Sequence, residues 1–327
     1  MSRSGSDYPA SDDDGYASPL ARLFLQEDIN FLVTNRLPRH LVTRIAGWYS
    51  RIESPLLARA SIALWKLFAD DLELQDALRT DFRSLHDCFV RELKPEARPI
   101  DPNAEVLVSP CDAIVGAHGR VRDGLLVQAK GFPYALGDLL GDDALVDRHR
   151  DGWYVTLRLK ANMYHRFHAP VDARVHRITY VSGDCWNVNP IALRRVEQLF
   201  CKNERAIVEL ETGIPDVALT MVPVAAILVA SMRFRCLPTP LTLAHRGRTE
   251  FTCDAEFAKG EEIGHFEAGS TIVLFASGPW AFCPEVREGR TLRMGQPLMR
   301  LPAASQPPFV QPADSAGAHA PATFVEP

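Results

Sequence analysis

Gly264-His265-Phe266-Glu267-Ala268-Gly269-Ser270-Thr271-Ile272-Val273-Leu274-Phe275 passes from small residues into an unbroken run of β-branched and apolar positions. A run that short, entered through Gly-Ser and rich in Thr, Ile, Val and Phe, predicts a strand. Working outward, the same texture returns in Val106-Leu107-Val108, Leu125-Leu126-Val127, Tyr154-Val155-Thr156-Leu157, Ile207-Val208-Glu209-Leu210 and Val222 to Ala230. Turn residues separate these runs at Ser109-Pro110, Arg122-Asp123-Gly124, Ala169-Pro170 and Lys259-Gly260. There is no internal repeat and no alternation of strands with long helices, which argues against a parallel βαβ sheet.

Toward the N-terminus the period changes. Leu41, Ile45, Trp48 and Ile52 step by helical spacing, and a second such run surrounds Ile62, Trp65 and Phe68. Between Leu20 and about Glu92 this predicts two to four amphipathic helices. The ends of the chain are rich in Ser, Ala, Pro and Gly with little periodicity and read as disordered. The expected class is α+β, a predominantly β domain over 96–301 preceded by amphipathic N-terminal helices over 19–95, with disordered tails at 1–18 and 302–327.

Composition narrows the function. With 46% hydrophobic and 24% charged residues, 327 residues are ample for a globular core. A net charge of -5 gives no general attraction to nucleic acid. Seven singly scattered cysteines, an odd number without CxxC spacing, suit a reducing compartment. Met1 to Ser18 is acidic and polar and does not read as a signal peptide. The longest uncharged runs, Val217 to Met232 and Ala268 to Pro284, fall short of the ~18 to 20 residues that a spanning helix needs.

One local feature does point to a surface. Arg36, Arg39, Arg44, Arg51, Arg59 and Lys66 face a single acid, Glu53, with Trp48, Tyr49 and Trp65 among them. Cations beside interfacial aromatics suit an anionic lipid surface, and they equally suit a solvated helix face packed on the main domain.

Three segments carry candidate chemistry: Ser109-Pro110-Cys111-Asp112-Ala113, Tyr164-His165-Arg166-Phe167-His168-Ala169-Pro170, and the opening stretch with Gly269-Ser270. Singly, each has a bland reading as a turn, a polar loop or a strand entry. Together they supply an Asp, a His and a Ser in separate loops, the ingredients of a nucleophile whose base is oriented by a carboxylate. The Glu-Ala-Gly-Ser-Thr context lacks the G-x-S-x-G turn, which disfavours a conventional serine hydrolase. Metal binding by His165, His168 and Asp112 competes, although no Cys or second His-x-x-His supports it, and no metal is expected.

In this order and spacing the segments closely resemble the phosphatidylserine decarboxylase family in its bacterial membrane-associated form. The likeness runs from about Leu37 to Leu301 and includes Phe89-Val-Arg-Glu-Leu93, Arg98-Pro-Ile-Asp101, Gln128-Ala-Lys-Gly131, Leu199-Phe-x-x-Asn-Glu-Arg205 and Gly295-Gln-Pro297. The family's Leu-Gly-Ser-Thr cleavage site reads Ala268-Gly269-Ser270-Thr271 here, and Ala113 stands where the family usually has Gly after its Asp.

The resemblance implies a precursor that cuts itself between Gly269 and Ser270. Asp112 orients His168, His168 draws the proton from Ser270, and the hydroxyl attacks the Gly269 carbonyl. Elimination leaves chains 1–269 and 270–327 as a heterodimer, with further dimerisation left open, and Ser270 becomes a covalent pyruvoyl group (pyruvate). That group forms a Schiff base with phosphatidylserine in an anionic membrane, takes up the electrons as CO2 leaves, and gives phosphatidylethanolamine. His165 is the candidate proton donor. Location at the cell membrane follows, peripheral and on the cytoplasmic side. Two rivals stay open: the same chemistry on another amine, and a β-rich binding module in which Gly269-Ser270 is inert.

Overall fold

The computed structural model describes residues 39–69, 71–127, 133–227, 231–242, 246–267 and 270–302. The two expected tails, apart from residue 302, the first part of the helical segment, and Gly269 lie outside the described residues.

The helical period appears where expected. Helix α1 (Arg39–Ser50) and helix α2 (Pro55–Phe68) are joined by a short turn. Ser54 caps α2, its Oγ accepting from the Leu57 N–H at 3.4 Å, and Pro55 occupies the first turn where no N–H is required. The short α3 (Leu85–Phe89) is capped in the same way by Ser84. Ala77, Phe82 and Cys88 form a small core with Ile62, Trp65 and Leu74 packed against it. The other face of the two long helices is bare: Leu41, Ile45, Trp48, Leu56, Leu64 and Leu67 are all exposed.

From residue 106 onward the chain is mainly antiparallel sheet. The largest sheet has eight strands in the order β12 (Arg248–Phe257), β7 (Ala173–Val181), β8 (Arg205–Thr212), β9 (Ala218–Ala225), β14 (Ser270–Ala276), β5 (Trp153–Leu159), β2 (Ala113–Arg120) and β16 (Thr291–Leu292). A four-stranded sheet has the order β11 (Leu241–Thr242), β10 (Ser231–Phe234), β13 (Glu262–Phe266), β6 (Arg166–His168). A third joins β1 (Val106–Val108), β17 (Pro297–Arg300) and β15 (Ala281–Phe282), and β3 (Leu125–Val127) pairs with β4 (Pro133–Ala135).

Strand alternation sorts the two faces of the large sheet. Ile272, Leu274 and Ala276 of β14 join Leu157, Met221, Phe167, Met232, Phe234 and Phe266 in the core between the large sheet and the smaller ones. Val273 and Phe275 point the other way, into a second core with Val222 and Ile207. That second core is closed by α4 (Leu136–Leu140), α5 (Asp143–His149), α6 (Pro190–Arg195) and α7 (Leu199–Lys202), through residues such as Leu139, Leu145, Leu193 and Phe200. The architecture is α+β as expected, with the apolar strand β14 in the middle of the large sheet.

Candidate active site

Ser270 opens β14 and is paired on both sides, with Leu159 of β5 and Ala225 of β9. Counting by twos from Ile272 and Leu274, its side chain falls on the face between the sheets. It is completely buried, and its Oγ has no hydrogen-bond partner among the described residues. An unsatisfied buried hydroxyl costs about 1–3 kcal/mol, so its presence calls for an explanation beyond packing.

The histidine loop joins β5 to β6. His165 is fully buried, its Nδ1 lies 2.7 Å from the Met163 carbonyl, and its ring lies 4.0 Å from that of Phe89. The carbonyl can only accept, so Nδ1 carries the proton and Nε2 keeps a lone pair, which is buried without a hydrogen-bond partner among the described residues. Burial, reinforced by the Arg91 charge, pushes the His165 pKa down to about 3, so the ring is neutral. The Phe266 N–H donates to the His165 carbonyl at 3.0 Å, which ties this loop to the end of β13, just before the stretch that leads to Ser270.

His168 ends β6. Its Nδ1 donates to the Gly260 carbonyl at 2.9 Å, and its Nε2 takes the Tyr164 hydroxyl at 3.1 Å. Burial lowers its pKa as well, so it too is a neutral base.

Asp112 sits in the loop between β1 and β2, and that loop touches His168 through the backbone, the His168 N–H donating to the Pro110 carbonyl at 2.8 Å. The expected hydrogen bond from Asp112 to His168 is not formed. The carboxylate is instead gripped by Arg98, with Nε 3.0 Å from both oxygens and Nη2 2.7 Å from Oδ2, and Oδ1 also takes the Met294 N–H at 2.8 Å. A guanidinium outcompetes a neutral imidazole for a carboxylate, because both charges strengthen the bond. Gly295 makes the Met294 contact possible: its φ is +86°, and a Cβ there would lie 2.6 Å from the Pro99 carbonyl.

Asp112, His165, His168 and Ser270 are thus all buried, with backbone bonds fastening the Asp112 loop and β13 to the histidine loop. The relay from Asp112 through His168 to Ser270 is not assembled. Arg98 and Tyr164 are partners that residue type alone does not single out, although each lies inside or beside a motif already noted. Among the described residues no three His, Cys, Asp or Glu side chains gather as metal donors.

Comparison with known proteins gives this site a context. The family model described as phosphatidylserine decarboxylase matches residues 85–300. A protein of Anaeromyxobacter sp. (strain K) named phosphatidylserine decarboxylase proenzyme is 37% identical over 274 residues, covering 80% of this chain and 94% of the relative. Proteins of the same name from Vibrio cholerae and Shewanella amazonensis are 35% and 36% identical, covering 94% and 96% of their own lengths. The matched span 85–300 takes in the Asp112, histidine and Ser270 segments, and the chain belongs to the phosphatidylserine decarboxylase family.

Proposed function

We propose that this chain is the precursor of a phosphatidylserine decarboxylase that cuts itself before Ser270 and converts that residue into its pyruvoyl group. The observation that carries the proposal is the Ser270 hydroxyl, fully buried and without a hydrogen-bond partner among the described residues at the start of a central strand, in a family whose members are named proenzymes.

Two neutral histidines serve as bases. His168 Nε2 already accepts a hydrogen bond, and in maturation the Tyr164 hydroxyl yields that position to the Ser270 hydroxyl. The freed oxygen attacks the Gly269 carbonyl and the peptide becomes an ester. Loss of the Ser270 α-proton then expels the Gly269 carboxylate as the new C-terminus of chain 1–269. The remaining dehydroalanine takes up water and releases ammonia, which leaves the pyruvoyl cap. Asp112, fixed by Arg98, contributes negative charge beside His168 rather than a direct bond, and it raises the affinity of that ring for the proton.

The pyruvoyl group supplies an electrophilic carbonyl that engages the substrate amine and accepts the electrons left when CO2 departs. Ser270 fits such a group, since it is fully buried and its hydroxyl has no hydrogen-bond partner to lose among the described residues. His165 moves the proton in turnover. Its bare Nε2 lone pair takes a proton from the incoming ammonium and returns it to the carbon that loses its carboxylate.

The chains 1–269 and 270–327 remain one folded unit in this reading, because β14 is paired along its whole length with β5 and β9, while β16 and β17 pair with β2 and β1. The exposed apolar side chains of α1 and α2, with Arg44 and Arg59 beside them, suit a peripheral position on an anionic membrane. Among the described residues no helix is long and apolar enough to cross a membrane. All seven cysteines are free thiols, which favours the cytoplasmic face.

Mass spectrometry of the purified protein tests the central claim. We expect a small chain that starts at residue 270 with a pyruvoyl cap, and phosphatidylethanolamine formed from phosphatidylserine vesicles. A single full-length mass, unchanged in Ser270→Ala, would overturn it.

A further inference from the structure

Glu267 is the last described residue before Ser270, and its side chain has left the core. Its neighbour Phe266 pairs with Met232, and both point into the core between the sheets. By alternation Glu267 therefore lies on the outer face of the small sheet, away from the side to which Ser270 points. Its partners among the described residues are Ser231, Arg51 and His86, not Ser270.

On that outer face Glu267 is nevertheless tightly held. Its N–H donates to the Ser231 carbonyl at 3.1 Å, and Oε2 accepts from the Ser231 Oγ at 2.8 Å. The same oxygen pairs with Nη2 of Arg51, and His86 Nε2 stands 4.0 Å away. The carboxylate side chain is only 8% exposed, against 51% for Arg51. Arg51 comes directly after α1, and its own N–H donates to the Trp48 carbonyl at 3.2 Å, so it closes the last turn of that helix. The buried side of α1 is fixed too, Thr43 Oγ1 lying 3.7 Å from the Cys185 Sγ. Cys185 packs on Ala225, the strand partner of Ser270.

We infer that Arg51 is a positioning residue for self-cleavage, holding the upstream end of the scissile segment in place through Glu267. This rests on the self-cleavage reading above. The downstream end is fixed by β5 and β9, and the connection to Ser270 is short. A shift at Glu267 therefore changes the approach of the Ser270 hydroxyl to the carbonyl it attacks, and small misplacements of reacting atoms carry large rate penalties. Helix α1, whose outward side is apolar, is in consequence part of the maturation machinery.

The test follows the appearance of chain 270–327 in freshly translated full-length protein in detergent, with the folded fraction checked by thermal melting. Arg51→Glu and Glu267→Gln should each slow splitting about tenfold, roughly the rate equivalent of one lost charge-assisted hydrogen bond. Arg287→Glu, the same change at an exposed arginine outside α1, should leave the rate unaltered. The exchanged pair Arg51→Glu with Glu267→Arg should recover to within about threefold of the parent, a rescue that general destabilisation does not produce. Wild-type rates in both single variants, or a double variant slower than Arg51→Glu alone, would overturn the inference. A parent protein that never splits would instead overturn the self-cleavage reading itself.

Discussion

Arg98 binds Asp112 side-on, with Nε 3.0 Å from each carboxylate oxygen and Nη2 2.7 Å from Oδ2, and the same guanidinium reaches Glu73 at 2.7 Å and Asp76 at 2.8 Å. One nearly buried cation thereby ties the segment after α2 to the loop that carries Asp112. Replacing it with Ala leaves Asp112 buried without its counter-charge, a defect that costs about 3–5 kcal/mol. Urea unfolding of Arg98→Ala should show that loss, with part of it recovered in Arg98→Lys. A change below about 1 kcal/mol would mean that Asp112 finds another partner.

His165 and His168 differ in what they already bond, and their variants should differ in kind. His165→Ala is expected to split normally and to release no CO2 from phosphatidylserine, because its bare Nε2 is assigned to turnover alone. A His165→Ala protein that stays in one piece would end that division of labour. His168→Ala should stay intact, a single full-length band on a denaturing gel.

Tyr164 blocks the His168 Nε2 in the structure. If it yields that position during maturation, Tyr164→Phe should split at least as fast as the parent, since the competing hydroxyl is gone. Splitting slowed tenfold or more would show instead that the hydroxyl takes part in the proton transfer.

Glu204 supplies a pH test. Its side chain is fully buried, and burial pushes the carboxyl pKa up to about 8 from an ordinary 4.5, against the opposing effect of the Tyr180 hydroxyl. A raised carboxyl pKa means that the folded protein keeps a proton the unfolded chain has released, so stability falls as pH rises between those values and levels off above them. From pH 6 to pH 8 the parent should lose about 1–2 kcal/mol relative to Glu204→Gln. Parallel curves of unfolding free energy against pH would contradict this.

Trp48 and Leu56 are 69% and 78% exposed on α1 and α2. Trp48→Glu combined with Leu56→Glu should lower binding to anionic vesicles at least about tenfold by sedimentation, the loss expected for two interfacial apolar anchors. Melting temperature should not move. Unchanged vesicle binding would assign these helices to a protein partner.

The parts of the fold legible in the sequence are those in which chemistry and period agree. β14 is apolar on both faces because it is covered on both, so its uninterrupted run stands out. β12 shows the opposite case: one side of it faces solvent, and its Glu, Thr and Asp residues hide a strand that alternates in exposure along its length. Helices α4 to α7 span only one or two turns, too few residues for a 3.6-residue period to register. In the candidate site, residue types single out Asp112, His165, His168 and Ser270, and all four are buried. Sequence does not reveal that Arg98 outcompetes His168 for Asp112, because that contest is decided by charges brought together from positions 73, 76, 98 and 112.

A newly cut chain end normally frays, and a reactive carbonyl on a fraying end would meet water and stray amines. Here the new terminus would be woven into the interior of an eight-stranded sheet, with β9 on one edge and β5 on the other. The cofactor would inherit the rigidity of a central strand buried at every one of its positions. Matured heterodimers carrying different isotopes should therefore not trade small chains unless they are first denatured.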